Sequence, residues 1–131
     1  MTMASIFSRI VNGEIPCHKV AEDDRYLAFL DIDPVRAGHT LVVPKVEVDQ
    51  LFDLDDETLS GMLPFAKQVA HRIKAVVPCK RIGLTVIGLE VPHAHIHLIP
   101  IDGMHDMEFS RPKVKMSPDE LAALAARIRT A

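Results

Sequence analysis

The chain has 131 residues, 48% of them hydrophobic and 25% charged, with a formal net charge of −3. These values describe one globular domain and exclude a disordered tail, a collagen-like fibre or a multidomain machine. A chain this short buries roughly two thirds of the surface it exposes when unfolded, so a ligand site is expected to be a groove or to borrow a wall from a second subunit. The slightly acidic balance argues against nucleic acid as a partner, because backbone binding needs clustered Lys and Arg. No stretch reaches the roughly 18 consecutive apolar residues of a membrane helix. The start, Met1-Thr2-Met3-Ala4-Ser5, lacks the basic and apolar regions of a signal peptide, which predicts a cytoplasmic protein with no membrane partner. Cys17 and Cys79 have neither metal-type spacing nor a disulfide framework and read as reduced thiols. The unusual count is seven histidines, three of them within five residues.

In chain order, Ser5 to Val11 carries Ile6, Ile10 and Val11 at helical spacing before an Asn12-Gly13 stop, which predicts a short N-terminal helix. His18 to Ala21 and Tyr26 to Leu30 read as strands joined by the polar turn Glu22-Asp23-Asp24-Arg25, and Pro34 follows soon after the second. His39 to Pro44 is a β-branched third strand. From Asp55 to Val77, Leu59, Met62, Leu63, Ala66, Val69, Ala70, Ile73, Val76 and Val77 recur every three or four residues, predicting a long amphipathic helix that Pro64 should kink or locally break. Arg81 to Ile87 and His93 to Ile101 are two further strands. Asp102 to Met116 is polar and reads as a loop. Ser117-Pro118-Asp119-Glu120 is a capping box opening a last helix. The order predicts an α+β fold: a five-stranded antiparallel sheet with the long helix on one face.

The run His93-Ala94-His95-Ile96-His97-Leu98-Ile99 places the three histidines on one face of a strand and Ala94, Ile96 and Leu98 on the other. Three readings are open. Two of the imidazoles bind zinc, with His39 or a carboxylate completing the shell; all three cannot, since the outer pair start about 13 Å apart on an extended strand. Alternatively, the histidines are structural. In the third reading one imidazole is a nucleophile toward phosphorus, its far nitrogen held by an acceptor and its neighbours donating to the phosphate oxygens.

The pattern His-φ-His-φ-His-φ-φ, with φ apolar, resembles the signature of the histidine triad (HIT) superfamily. From Ser5 to about Pro100 the chain is similar to its Hint-like branch: IFSRI, GEIP, EDD, AFLDIDP and HTLVVPK follow one another in the branch's order. The resemblance implies the HIT-like fold in a single domain over 1–131, with a core of about 5–100 and a C-terminal loop and helix over 101–131. It also implies a homodimer that extends the sheet across its interface. The implied function is a nucleotide hydrolase or nucleotidyl transferase acting at the α-phosphate of nucleoside phosphoramidates, dinucleoside polyphosphates or related purine nucleotide adducts. His95 would be the nucleophile, with His93 and His97 orienting it and contacting the phosphate. His39 would lie near that phosphate, Asp31 would accept from the ribose hydroxyls, and Phe7, Ile10 and Phe29 would line a purine pocket, or for Ile10 and Phe29 serve as plain core.

The chain departs from the family before the triad, where Leu89 replaces a glutamine and an asparagine-bearing loop is missing. Glu90 reads either as the acid that protonates the leaving group or as a structural carboxylate. Some bacterial members bind a structural zinc through Cys-x-x-Cys and a later histidine; those places hold Ser5, Ser8 and Glu47 here. Hydroxyls are poor zinc ligands, so no metal and no cofactor is expected. A nucleotide-binding sensor with little catalysis, and a zinc hydrolase, are the alternative functions.

Overall fold

The computed structural model describes residues 4–131; Met1–Met3, part of the start read above for a signal peptide, lie outside the described residues. Helix α1 (Ile6–Val11) is capped by Ser5, whose side chain accepts from the Ser8 amide. Strands β1 (Lys19–Glu22), β2 (Tyr26–Leu30) and β3 (Thr40–Pro44) precede helix α2 (Asp56–Val76), and β4 (Arg81–Thr85), β5 (Ile96–Ile101) and helix α3 (Pro118–Arg129) follow it. The five strands form one antiparallel sheet in the order β1-β2-β3-β5-β4. Crossing by way of α2 lets β5 return beside β3 and leaves β4 at the edge.

Both faces of the central strands are covered, so β2 and β3 are buried at every position. On one face Ala28, Leu30, Val42, Ala94, Ile96 and Leu98 form a core with Met62, Phe65, Ala66, Val69 and Ile73 of α2 and Leu121, Ala125 and Ile128 of α3. On the other, Leu27, Phe29, Leu41 and Val43 pack with Phe7 of α1. The register aligns Phe29 with Leu41, Leu41 with His97 and His97 with Thr85, a row across four strands on the α1 face. Among the described residues no helix is long and apolar enough to cross a membrane.

Two expectations are corrected. Helix α2 runs unbroken through Pro64, because proline and the Ser60 carbonyl it leaves unpaired both face solvent, where water can satisfy the oxygen. For the same reason Leu63 is exposed and Phe65 takes the core position. The last strand begins at Ile96 rather than His93. The His93 amide bonds to the Val91 carbonyl and the Ala94 amide to Val48, in the connection after β3, so this backbone is tied to a loop instead of a ladder.

Candidate active site

His39, His95 and His97 converge on a cavity of about 610 Å³ on the α1 face, within the usual range for small-molecule sites. Its walls also include Phe7, Ile10, Phe29, Asp31 and Glu90, so eight of the nine residues singled out from the sequence meet in one place. The ninth does not. His93 is 0% exposed and lies under the start of α1, with its ring outside the cavity wall. This burial does not fit the expectation that its imidazole contacts a bound phosphate; His93 meets the site through its carbonyl, which accepts from His95 Nδ1.

The hydrogen bonds assign a tautomer to each ring. His95 Nδ1 lies 2.7 Å from the His93 carbonyl oxygen, an acceptor only, so Nδ1 carries the proton and Nε2 keeps its lone pair. Val35 N–H donates to His39 Nδ1 at 3.1 Å, which puts the His39 proton on Nε2; that proton goes to His97 Nδ1 at 2.9 Å. The His97 proton is thereby left on Nε2. The site thus offers one unprotonated imidazole nitrogen beside one imidazole N–H.

His39 is aimed by the turn before β3. Gly38 there has φ +97°, and an added Cβ would press on Val77 and Pro100, so only glycine fits. Burial pushes His39 down to about 3 and His97 to about 4, each helped by the neighbouring imidazole, and burial also lowers His95. All three rings are neutral at pH 7. Asp31 is held by the Asp33 amide, 2.8 Å from Oδ1, while burial raises its carboxyl above the ordinary range.

Ser5, Ser8 and Glu47 form a clasp around His93. Its Nε2–H donates to the Pro44 carbonyl at 2.8 Å, and its Nδ1 accepts from the Ser5 hydroxyl at 2.8 Å. Glu47 Oε1 takes both the Ser8 hydroxyl and the Ser5 amide, each at 2.6 Å. These bonds also hold the Glu47 carboxyl below its usual range, the Ser8 hydroxyl contributing most. The three residues were visible in the sequence only as places where cysteines and a histidine were missing, and their mutual bonding was not foreseen.

Phe109 was likewise unforeseen. It comes from the loop after β5 and packs edge-on against His39 and His97, with centroids 5.8 and 4.9 Å away. Leu89 is 89% exposed at the cavity mouth.

Residues 12–104, well over half of the chain, match the HIT domain model, and the chain belongs to the HIT family. It is 38% identical over 131 residues to adenosine 5'-monophosphoramidase hnt1 of Schizosaccharomyces pombe, covering 96% of each chain. Among solved structures it resembles a Hit-like protein from Bartonella henselae (TM-score 0.84, 31% identity, 96% and 94% of the two chains). It also resembles a zinc-bound histidine triad protein from Mycobacterium smegmatis (TM-score 0.82, 27% identity, 98% and 92%).

Neither cluster of donors here suits zinc. The hydroxyls of Ser5 and Ser8 are weak ligands already spent on His93 and Glu47. Asp31, His39 and His97 do bring ligand atoms within 4.8 Å of one another, but an ion there would have to break the His39–His97 bond and the bond from Val35.

Two consequences are measurable. Ser5→Ala removes both the α1 cap and the bond to His93, and should cost about 1–3 kcal/mol in urea unfolding. The same variant should shift the His93 Nδ1 resonance in long-range ¹H–¹⁵N spectra as that nitrogen loses its donor, while the Pro44 carbonyl keeps the proton on Nε2. A variant as stable as the parent with an unchanged imidazole pattern would dissolve the clasp.

The second concerns acid. His39 and His97 resist protonation when folded but accept protons near the ordinary 6.5 when unfolded. Their folded values are depressed, so the unfolded state binds more protons below 6.5 and stability rises with pH across that window. The urea midpoint should therefore fall steadily from about pH 7 to about pH 4.5. A flat profile there would contradict the burial of neutral imidazoles.

Proposed function

We propose that this chain is a nucleotide hydrolase or nucleotidyl transferase that cleaves purine nucleotide adducts at the α-phosphate through a nucleotidyl-His95 intermediate. One observation carries the reading: the His93 carbonyl holds the His95 Nδ1 proton, leaving the Nε2 lone pair for attack. The names of relatives agree with it, since both the S. pombe protein and its Saccharomyces cerevisiae counterpart, 39% identical over 98 residues, are called adenosine 5'-monophosphoramidases.

In this reading the purine lies among Phe7, Ile10 and Phe29, and Asp31 accepts from the ribose hydroxyls. His95 Nε2 forms a bond to the α-phosphorus as the bond to the leaving group breaks, and the leaving group takes the electron pair. The His97 Nε2–H donates to a phosphate oxygen as charge builds there. His39 acts through His97, whose tautomer it sets. An amine leaving group takes a proton from Glu90, which lines the same cavity. Water then gives a proton to the Glu90 carboxylate as its oxygen attacks the phosphorus, the P–N bond breaks, the imidazole regains its lone pair and Glu90 is returned to its acid form. No step uses a metal.

His95→Ala should lower turnover of adenosine 5'-phosphoramidate by about 10³-fold or more while AMP binding changes little. Mass spectrometry of a wild-type reaction quenched in base, because the phosphorus–imidazole bond hydrolyses in acid, should find the nucleotidyl group on His95. Unimpaired turnover in the variant would end the covalent mechanism. Binding without turnover in the wild type would favour the sensor, and loss of turnover on chelation would favour the zinc hydrolase.

The homodimer belongs to the same proposal. Strand β4 has a free outer edge, and Leu84, Val86 and Ile87 on and after it are exposed. Joining two such edges extends the sheet and covers these side chains. Light scattering should give twice the chain mass at micromolar concentration; a monomer that is fully active would remove the dimer from the mechanism.

A further inference from the structure

Among the described residues lining the cavity, Asp31, Asp33 and Glu90 are acidic, the imidazoles are neutral, and Lys113 is the one permanent cation. It belongs to the loop between β5 and α3 and is held in place in several ways. Its Nζ donates to the Phe109 carbonyl at 2.6 Å and sits 5.2 Å from the centre of the Phe109 ring. The Val114 amide bonds to the Pro34 carbonyl. Upstream, buried Asp106 accepts from Arg36 at 2.8 Å and from the amides of Asp102 and Gly103, which fastens the loop to the turn that carries His39.

Successive contacts run from Phe7 to His95 (5.0 Å between centroids), His95 to His97 (4.9 Å), His97 to Phe109 (4.9 Å) and Phe109 to the Lys113 ammonium (5.2 Å). The apolar end of the cavity at Phe7 and the ammonium of Lys113 are thus the two ends of a chain of contacts that passes through His95 and His97. A nucleotide whose base occupies the apolar end, with its α-phosphate at His95 and His97, carries its next group toward Phe109 and Lys113.

We propose that Lys113 forms a subsite for a second phosphate, so that the cavity prefers nucleotides whose α-phosphorus bears a phosphate leaving group over those bearing an amine. The inference rests on the nucleotide reading above and narrows it. The two leaving groups make different demands. An amine must gain a proton as its bond to phosphorus breaks, whereas a phosphate departs as an anion with the bonding pair on oxygen and needs a nearby cation. Lys113 keeps two N–H donors beyond the one given to Phe109. Its charge is felt across the site, opposing protonation of His39 and His97 and favouring the ionised form of Asp31.

The test compares Lys113→Met and Lys113→Arg with Lys115→Met, a neighbouring lysine outside the cavity wall. Calorimetry should show the wild type binding ADP more tightly than AMP by about tenfold, a preference lost in Lys113→Met and largely kept in Lys113→Arg and Lys115→Met. The drop in kcat/KM for diadenosine triphosphate in Lys113→Met should exceed that for adenosine 5'-phosphoramidate by a similar factor. Equal ADP and AMP affinity in the wild type, or a preference that survives Lys113→Met, overturns the subsite while His95-dependent turnover still supports the nucleotide reading. Absence of AMP binding together with turnover indifferent to His95 overturns both.

Discussion

The bond from His95 Nδ1 to the His93 carbonyl is the constraint around which the site is arranged. A carbonyl inside a ladder is already committed to the next strand. Here β5 begins only at Ile96, so the His93 oxygen is free to take a side chain. That freedom requires the preceding backbone to be held by other means. Val48 takes the Ala94 amide, and Pro44 and Ser5 take the two nitrogens of the buried His93 ring. A helix cap, a strand end and a loop thereby determine where one imidazole proton resides.

The two-sided sheet explains how so small a chain has room for this. Ala94, Ile96 and Leu98 join the core with α2 and α3, while His95 and His97 project to the α1 face. One run of sequence therefore supplies half of a core and half of a cavity. The register carries the arrangement sideways, since Phe29 and Leu41 continue the row that holds His97. A slip of one residue in β5 would exchange histidines for core residues, and the cost of burying unpaired imidazoles in place of aliphatic side chains fixes the pairing.

Much of this was legible in the chain. Period-two alternation from His93 to Leu98 separated polar from apolar faces, the repeat of α2 identified its buried side, and Ser117-Pro118-Asp119-Glu120 marked the start of α3. The missing parts share a physical cause: they depend on pairings between residues distant in sequence. Nothing local indicates that the Ser5 hydroxyl will meet His93 from 88 positions away, or that the Glu47 carboxylate will take the Ser8 hydroxyl from 39. The same holds for Phe109, whose loop carries no periodicity and is drawn to the histidines by the Arg36–Asp106 pair. Local rules also overstate proline: Pro64 is tolerated in α2 because of which face it occupies, and that face is a tertiary property.

Burial of the imidazoles has two opposite electrostatic consequences. It keeps His95 unprotonated near neutral pH, which a nitrogen nucleophile requires, and it does the same to His97 and His39, so the rings contribute donors without charge. A phosphate arriving among neutral imidazoles and the carboxylates of Asp31 and Asp33 would meet an unfavourable field unless a cation lay within reach. Placing that cation in the same cluster as a fourth ring would raise no fewer difficulties, because a protonated histidine there would have to be buried and would compete with the tautomers that define the site. A lysine arriving from a separate loop, its exposed ammonium held by the Phe109 carbonyl and ring, supplies charge with little desolvation and leaves the proton arrangement of the triad intact.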